Sequence, residues 1–176
     1  MAEHSGSQEM LDYLHALTEY IKTPACCAVQ VESGKPTIDS LFYYYQSIAE
    51  IKKIEWDIQW MLPRQFPLSD VELCTLLSNL LENAVEACER LGVESGRSIT
   101  VRTSATKFFW CLTIENTYDG IAYVQEDFSM RTRKSDAQYH GIGLSSVAHI
   151  VQTHHGTLDL FPKEKLYFVG ITIPID

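Results

Sequence analysis

The chain of 176 residues lacks several features that would assign it to common protein classes. It contains no run of about 20 apolar residues, so no segment is predicted to span a membrane. Its first residues, MAEHSGSQ, lack the apolar core of a signal peptide. Basic residues are few: 14 Lys and Arg stand against 23 Asp and Glu, a net charge of -9. This charge argues against a nucleic-acid backbone as a partner and against a basic membrane-binding patch.

Cysteine pairs at metal-binding spacing are also missing. The five cysteines are an odd number and include no C-x-x-C pair. This spacing fits neither a disulfide framework nor a zinc site, so reduced thiols in the cytosol are predicted. The cysteines concerned are Cys26, Cys27, Cys74, Cys88 and Cys111.

The apolar content is sufficient for one domain and a short arm. Hydrophobic residues make up 45% of the chain, enough to bury a core in a chain of this length. We expect an N-terminal arm over residues 1–34 and a folded domain over residues 35–176. Residues 9–21 have helical spacing, but a helix of about three turns is marginal when isolated. The arm is therefore expected to pack on a partner or on chain that precedes it.

The longest regular segment is predicted to be one helix over residues 69–91. Ser69 can cap the first turn while Glu72 reaches back to the Ser69 backbone, the pattern of a capping box. Gly92 can end the helix. Apolar residues recur at steps of three and four, which predicts a stripe buried against a sheet. The stripe consists of Leu73, Leu77, Leu80, Ala84, Ala87, Cys88 and Leu91.

Two amides in this helix are candidates for a binding site. Asn79 and Asn83 are one turn apart, so their side chains share a face that borders the apolar stripe. An amide buried without a partner costs roughly 1 to 3 kcal/mol, and a ligand or metal can supply the partner. Two asparagines that cap a neighbouring loop or lie half solvated would give the same pattern.

The remaining patterns predict a two-layer α+β sandwich. They give a mixed, mostly antiparallel sheet with three main helices on one face. The predicted helices begin at Thr37 or Asp39, at Ser69 and after Gly143. The predicted strands cover residues 56–62, 99–104, 108–115, 157–161 and 166–173.

A long loop and a glycine pair stand late in the chain. Residues 121–139 show no period and include the basic residues Arg131 and Lys134. A loop of this length inside a domain is usually functional or disordered. Gly141 and Gly143 then open a helix, where backbone amides can approach an anion closely. A flexible turn is an alternative explanation of this glycine pair. The third glycine of a dinucleotide-binding fingerprint is absent.

Taken together and in order, these motifs resemble the ATP-binding domain of the GHKL superfamily, which includes gyrase, Hsp90, sensor histidine kinases and MutL. The motifs are N-x-x-x-N on a buried helix, I-E-N-T-Y-D-G at a strand end, the basic loop, and H-G-I-G-L. The resemblance covers about residues 36–176 and implies the Bergerat ATP-binding fold. The run I-D-S-L-F-Y-Y-Y-Q, together with T-R-K before H-G-I-G-L, resembles the Agr-type quorum-sensing sensor kinases.

The resemblance implies a role for each phosphate-side residue. Asn83 matches the residue that coordinates Mg2+, and Asn79 matches a position near the phosphates. Lys134, with Arg131 or Arg133, would neutralise the β- and γ-phosphates, and Asn79, Asn83 and Lys134 would together form the catalytic set. The H-G-I-G-L residues expected to contact ATP are His140, Gly141, Gly143 and Leu144.

The resemblance also implies the base-binding residues, with departures from the family pattern. Asn116 falls where most members have an aspartate that accepts a hydrogen bond from the adenine amino group. Tyr118 replaces the middle glycine of that motif, and Gly120 keeps the last. ATP binding is still expected, because an amide oxygen also accepts hydrogen bonds.

The implied function is the catalytic, ATP-binding part of a two-component sensor histidine kinase. It would transfer the γ-phosphate of Mg-ATP to a histidine on an upstream dimerisation hairpin, and the parent protein would serve a response regulator. His4 and His15 are not followed by acidic residues, so neither is predicted as the phosphoacceptor. This piece is expected in the cytoplasm, and its parent in the cell membrane.

Two rival functions remain open at the sequence level. The altered motif at Asn116 and Tyr118 allows a non-catalytic nucleotide-binding or scaffold module of the same fold. An ATPase of the gyrase or Hsp90 kind is disfavoured, because such enzymes have a water-activating glutamate at the position of Asn79. Glu82 is near in sequence but points about 100° away on the helix.

Overall fold

The order of helices and strands is the one predicted from the sequence. The computed structural model describes residues 33–121 and 142–175, so the predicted helix at residues 9–21 lies outside the described residues. Within the described ranges no helix is both long and apolar enough to cross a membrane. The elements are α1 (Pro36–Ile51), β1 (Glu55–Gln59), α2 (Asp70–Glu89), β2 (Ser98–Ala105), β3 (Phe109–Thr117), α3 (Ile142–Thr153), β4 (Thr157–Lys163) and β5 (Leu166–Pro174), with a short 3-10 helix at Val93–Ser95 that the sequence did not predict.

The capping box predicted at the start of α2 is present. Glu72 N donates to Ser69 Oγ over 3.3 Å, and Ser69 N donates to Glu72 Oε2 over 2.8 Å. These two bonds satisfy amides that the first turn leaves without helical partners. The buried residues of α2 are Leu73, Leu76, Leu77, Leu80, Leu81, Ala84, Val85, Ala87 and Cys88.

The five strands form one mixed sheet in the order β1-β2-β3-β5-β4. β1 runs parallel to β2, and the other neighbours are antiparallel. A parallel pair needs a long crossover, which α2 supplies between β1 and β2. Alternate strand residues join the core with all three helices, so the helices cover one face and the α+β sandwich is confirmed. These strand residues include Ile99, Val101, Trp110, Leu112, Ile114, Val169, Ile171 and Ile173.

The ends of β1, β3 and β4 differ from the prediction by two residues or more. β1 stops at Gln59 rather than at residue 62, because the Met61 backbone bonds to the Thr103 side chain, with Met61 N donating to Thr103 Oγ1 over 2.6 Å. β3 continues past the predicted end at Glu115 to Thr117, because Asn116 and Thr117 still pair with Tyr167 and Leu166 of β5. The predicted strand end at Glu115 is therefore wrong, and Asn116 lies within β3.

Helix α3 is tied to the start of α2 by a hydrogen bond between a histidine and a carboxylate. His154, directly after the end of α3, places its Nε2 2.9 Å from Glu72 Oε1. Hydrogen bonds from Ser69 and then from His154 hold the pKa of Glu72 down at about 2, below the usual 4.5. One carboxylate thus caps α2 and holds the far end of α3.

The depressed pKa of Glu72 predicts a loss of stability in acid. A carboxylate with a lowered pKa in the folded state stabilises the fold fully above its unfolded value, and the contribution disappears as pH falls towards the folded value. We expect Glu72→Gln to lower the free energy of unfolding by about 1 kcal/mol at pH 6, discounted for partial exposure, and by progressively less between pH 4.5 and 2. Urea unfolding across this range measures the difference.

Glu86→Gln is the matched control, because it removes an exposed carboxylate from the same helix. A constant difference between wild type and Glu72→Gln from pH 6 to pH 2 would contradict the role given to the carboxylate.

Candidate functional site

The start of α3 lies directly against Asn79. A methyl group added at Gly143 would lie only 2.6 Å from Asn79 Oδ1, closer than real carbon contacts allow. Asn79 Nδ2 donates to the backbone oxygen of Thr75 over 2.7 Å, so the amide nitrogen is engaged within α2 and the oxygen faces Gly143. Gly143 therefore permits a close approach of α3 to α2, a contact that the sequence motif did not predict.

Asn83 lies one turn further along α2 and is exposed. Within the described part of the chain its side chain makes no hydrogen bond. An exposed amide oxygen is a suitable ligand for Mg2+, which prefers oxygen and retains several waters. Its position on the same helix face as Asn79 is compatible with the predicted metal role.

Asn116 places a single hydrogen-bond acceptor at the end of the buried sheet face. The residue is 3% exposed and pairs across the sheet with Ile99 and Tyr167. Its Nδ2 donates to the backbone oxygen of Thr117 over 3.0 Å. No described residue donates to its Oδ1, which therefore remains available to a ligand. An amide in this state offers the same kind of acceptor as an aspartate, without the charge.

Thr117 organises this end of the sheet, although the sequence did not single it out. Its Oγ1 accepts from Ser98 N over 3.0 Å, and its backbone oxygen accepts from Cys88 Sγ over 3.4 Å. Thr117 therefore links the start of β2, the end of α2 and the Asn116 amide. Burial raises the pKa of the Cys88 thiol, which keeps it protonated as a donor. The only sequence signal was that Thr117 follows Asn116.

Two tyrosines line the sheet beside Asn116. Tyr118, in place of the family's middle glycine, is 6% exposed, and its ring meets that of Tyr167 edge to face with centroids 5.8 Å apart. Burial, and then the nearness of Tyr118, raises the pKa of the Tyr167 hydroxyl. Tyr118 N also donates to Lys165 O over 3.0 Å. The side chain of Tyr118 is thus accommodated by packing against Tyr167 of β5.

The segment after Tyr118 turns sharply at Gly120. Gly120 has a φ of +82°, a left-handed conformation that side chains other than glycine rarely adopt. Ile121 N donates to Asp119 Oδ1 over 3.0 Å, and Arg90 Nε lies 3.6 Å from Asp119 Oδ2. The left-handed backbone at residue 120 favours glycine, whereas residue 118 has no positive φ and accommodates a tyrosine.

Several predicted site residues lie outside the described residues: Arg131, Lys134, His140 and Gly141. Leu144 lies within them, and its half-buried side chain packs against the core. Among the described residues, Asn79 thus lies against Gly143. Asn116 and Gly120 lie near each other in sequence at the end of β3.

The described chemistry fits magnesium bound mainly by a nucleotide. No group of three or more His, Cys, Asp or Glu able to hold a metal occurs among these residues. Mg2+ commonly binds through one or two protein oxygens, waters and substrate phosphates rather than through a protein cage. The exposed amide of Asn83, one turn along α2 from the Asn79 contact with Gly143, can supply one such oxygen. Glu82, the neighbouring carboxylate, is exposed.

A model of the GHKL domain family matches residues 68–174. The match begins just before α2, ends with β5, and includes every described residue of the candidate site. No curated protein matches the sequence significantly.

Solved histidine kinases share the fold. The chain resembles Acinetobacter baumannii AdeS with a TM-score of 0.58 and 16% identity, over 95% of this chain and 77% of that one. It resembles the mycobacterial sensor kinase MprB with a TM-score of 0.55 and 20% identity, over 78% and 95%. For the catalytic domain of the histidine kinase ThkA the values are 0.58 and 17%, over 78% and 90%. At these identities the likeness concerns the fold.

Proposed function

Because the chain belongs to the GHKL domain family, whose members bind ATP, we propose that it is the ATP-binding catalytic domain of a two-component sensor histidine kinase. The proposed domain covers residues 35–176, and residues 1–34 are the remnant of a dimerisation hairpin and its linker. The residues resembling Agr-type kinases support a place in quorum sensing, in a parent protein anchored in the cell membrane and acting on a response regulator.

The observation that carries this proposal is the amide of Asn79 beside the start of α3. Phosphates bind at helix N-termini, where free backbone amides and the helix dipole favour negative charge. A hydrolase needs a base to activate water, and an amide cannot act as one. Phosphoryl transfer relies mostly on positioning and charge stabilisation, which amides can supply.

On the phosphate side, each proposed residue binds or orients the phosphates of ATP. The amides of Gly141 and Gly143 contact phosphate oxygens, and Lys134 with Arg131 and His140 supplies further donors. Asn83 would hold Mg2+ through its amide oxygen, and the metal would supply neutralisation of phosphate charge.

On the base side, Asn116 selects adenine. Its Nδ2 is engaged by Thr117 O, so only the Oδ1 acceptor faces the ligand. Adenine presents an exocyclic amino group as donor, whereas the corresponding group of guanine is a carbonyl acceptor. Gly120 holds the turn that follows.

The proposed reaction moves one phosphoryl group between substrates. A bond forms between the γ-phosphorus and a histidine nitrogen of the hairpin, and the bond from that phosphorus to the bridging oxygen breaks. ADP leaves with the electron pair. No water is consumed, in keeping with the amide at Asn79.

Titration calorimetry with a non-hydrolysable ATP analogue tests the nucleotide site. We expect saturable binding that strengthens at least tenfold when Mg2+ is added, because the metal joins protein and phosphates. Asn83→Ala should bind with Mg2+ only as tightly as wild type without it. Glu82→Gln, one residue away and facing elsewhere, should keep the wild-type response. An unchanged Mg2+ effect in Asn83→Ala would contradict the metal assignment.

Base selection is tested by exchanging Asn116. We expect Asn116→Asp to retain preference for the ATP analogue over the GTP analogue, because a carboxylate also accepts. Asn116→Leu, similar in size and unable to accept, should bind the ATP analogue at least tenfold more weakly. Equal affinities of wild type for both analogues would show that Asn116 does not read the base.

The proposed kinase activity requires a phosphoacceptor histidine on the dimerisation hairpin. Adding the parent hairpin to this domain with γ-labelled ATP should transfer label to the hairpin histidine, and replacing that histidine by alanine should abolish it. Binding of ATP without any transfer would instead favour a non-catalytic module. Turnover of ATP in excess of protein by the domain alone would favour a hydrolase.

A further inference from the structure

We infer that Asn79 is a positioning residue, whose side-chain oxygen determines how closely the first turn of α3 approaches α2. Its effect on nucleotide rests on the function proposed above, whereas the contact between the helices does not. The inference assigns to Asn79 a role through the backbone amides of α3.

The first step is the orientation of the Asn79 amide. Thr75 O accepts Asn79 Nδ2 over 2.7 Å and Ser78 Oγ over 3.2 Å. The Thr75 side chain in turn donates to Val71 O over 2.8 Å. These bonds lie within α2, so the nitrogen of the amide is held on the helix and the oxygen is directed away from Thr75.

The second step is the contact itself. A Cβ at Gly143 would lie 2.6 Å from Asn79 Oδ1, 3.4 Å from its Cγ and 3.6 Å from its Cβ. The Cβ distance is an ordinary van der Waals contact, and the oxygen distance is not. The amide oxygen of Asn79 is therefore the atom that occupies the space left by the missing side chain of Gly143.

The third step is the far end of α3. There His154 pairs with Glu72 over 2.9 Å, two turns before Asn79 on α2. An added methyl group at Gly143 therefore cannot be relieved by sliding α3 along α2 without disturbing that pair. The remaining responses are rotation of the Asn79 amide away from Thr75, or outward movement of the first turn of α3.

Outward movement matters because the first turn carries the free amides of the helix. Hydrogen bonds weaken steeply once distances and angles leave a narrow range. A displacement that leaves the base side intact should thus weaken binding of phosphates and spare binding of adenosine. This separates a positioning role from general loss of folding.

A double-mutant cycle tests the contact through thermal unfolding. Alanine is favoured over glycine inside a helix, so Gly143→Ala should stabilise the domain if nothing obstructs it. We expect Gly143→Ala to lower the unfolding temperature by roughly 3 °C or more in wild type. In the Asn79→Ala background the same change should leave it unchanged or raise it, because the two Cβ atoms meet at ordinary contact.

Two controls accompany the cycle. Gly92→Ala, where the added Cβ would meet only Ser95 Oγ at 3.6 Å, reports a glycine replacement without obstruction. Asn83→Ala, one turn along α2, should not relieve the effect of Gly143→Ala. An equal effect of Gly143→Ala in the wild-type and Asn79→Ala backgrounds would overturn the inference.

Calorimetric titration supplies the second readout. Gly143→Ala should weaken binding of the ATP analogue at least tenfold and leave adenosine binding within twofold. The double variant should bind the analogue as Asn79→Ala does. If Asn79 itself bound phosphate, Asn79→Ala would lose as much affinity as Gly143→Ala and the double variant would lose more, which overturns the positioning role. Absence of binding by wild type refutes the proposed function, and the unfolding cycle then decides the inference alone.

Discussion

The site depends on the burial of one side of α2 against the inner face of the sheet. Nine residues of this helix are buried, and each large one contributes roughly 1.5 to 3 kcal/mol. Rotating the helix by one residue, about 100°, would expose several leucines, so its orientation is strongly determined. Asn79 and Asn83 lie along the border of the buried side. The core therefore decides where the two amides point.

Hydrogen bonds to backbone carbonyls then decide what each amide presents. Thr75 O holds the nitrogen of Asn79, and Thr117 O holds that of Asn116. In both residues the nitrogen is engaged inside the protein and the oxygen is left on the other side. Each amide is thereby held in one orientation rather than free to turn.

The ends of the helices connect the two halves of the site. Glu72 caps α2 and pairs with His154 after the end of α3. Arg97 links the ends of the first two helices, since its Nη1 donates to Lys52 O and its Nη2 to Glu89 O. Charge-assisted bonds of this kind are stronger than neutral ones. Polar contacts away from Asn79, Asn83 and Asn116 thus join α2 to α3 and to α1.

The sequence alone determined the fold class, the order of elements and the capping box, because periodicity and caps are local signals. It misplaced the ends of β1 and β3, since Thr103 and the register with β5 decide these from distant parts of the chain. The tertiary structure alone revealed Thr117 as an organiser, His154 as the partner of Glu72 and the packing of Tyr118 on Tyr167. Each of these depends on which residues meet across the sheet or between helices, and local sequence carries no signal for such contacts.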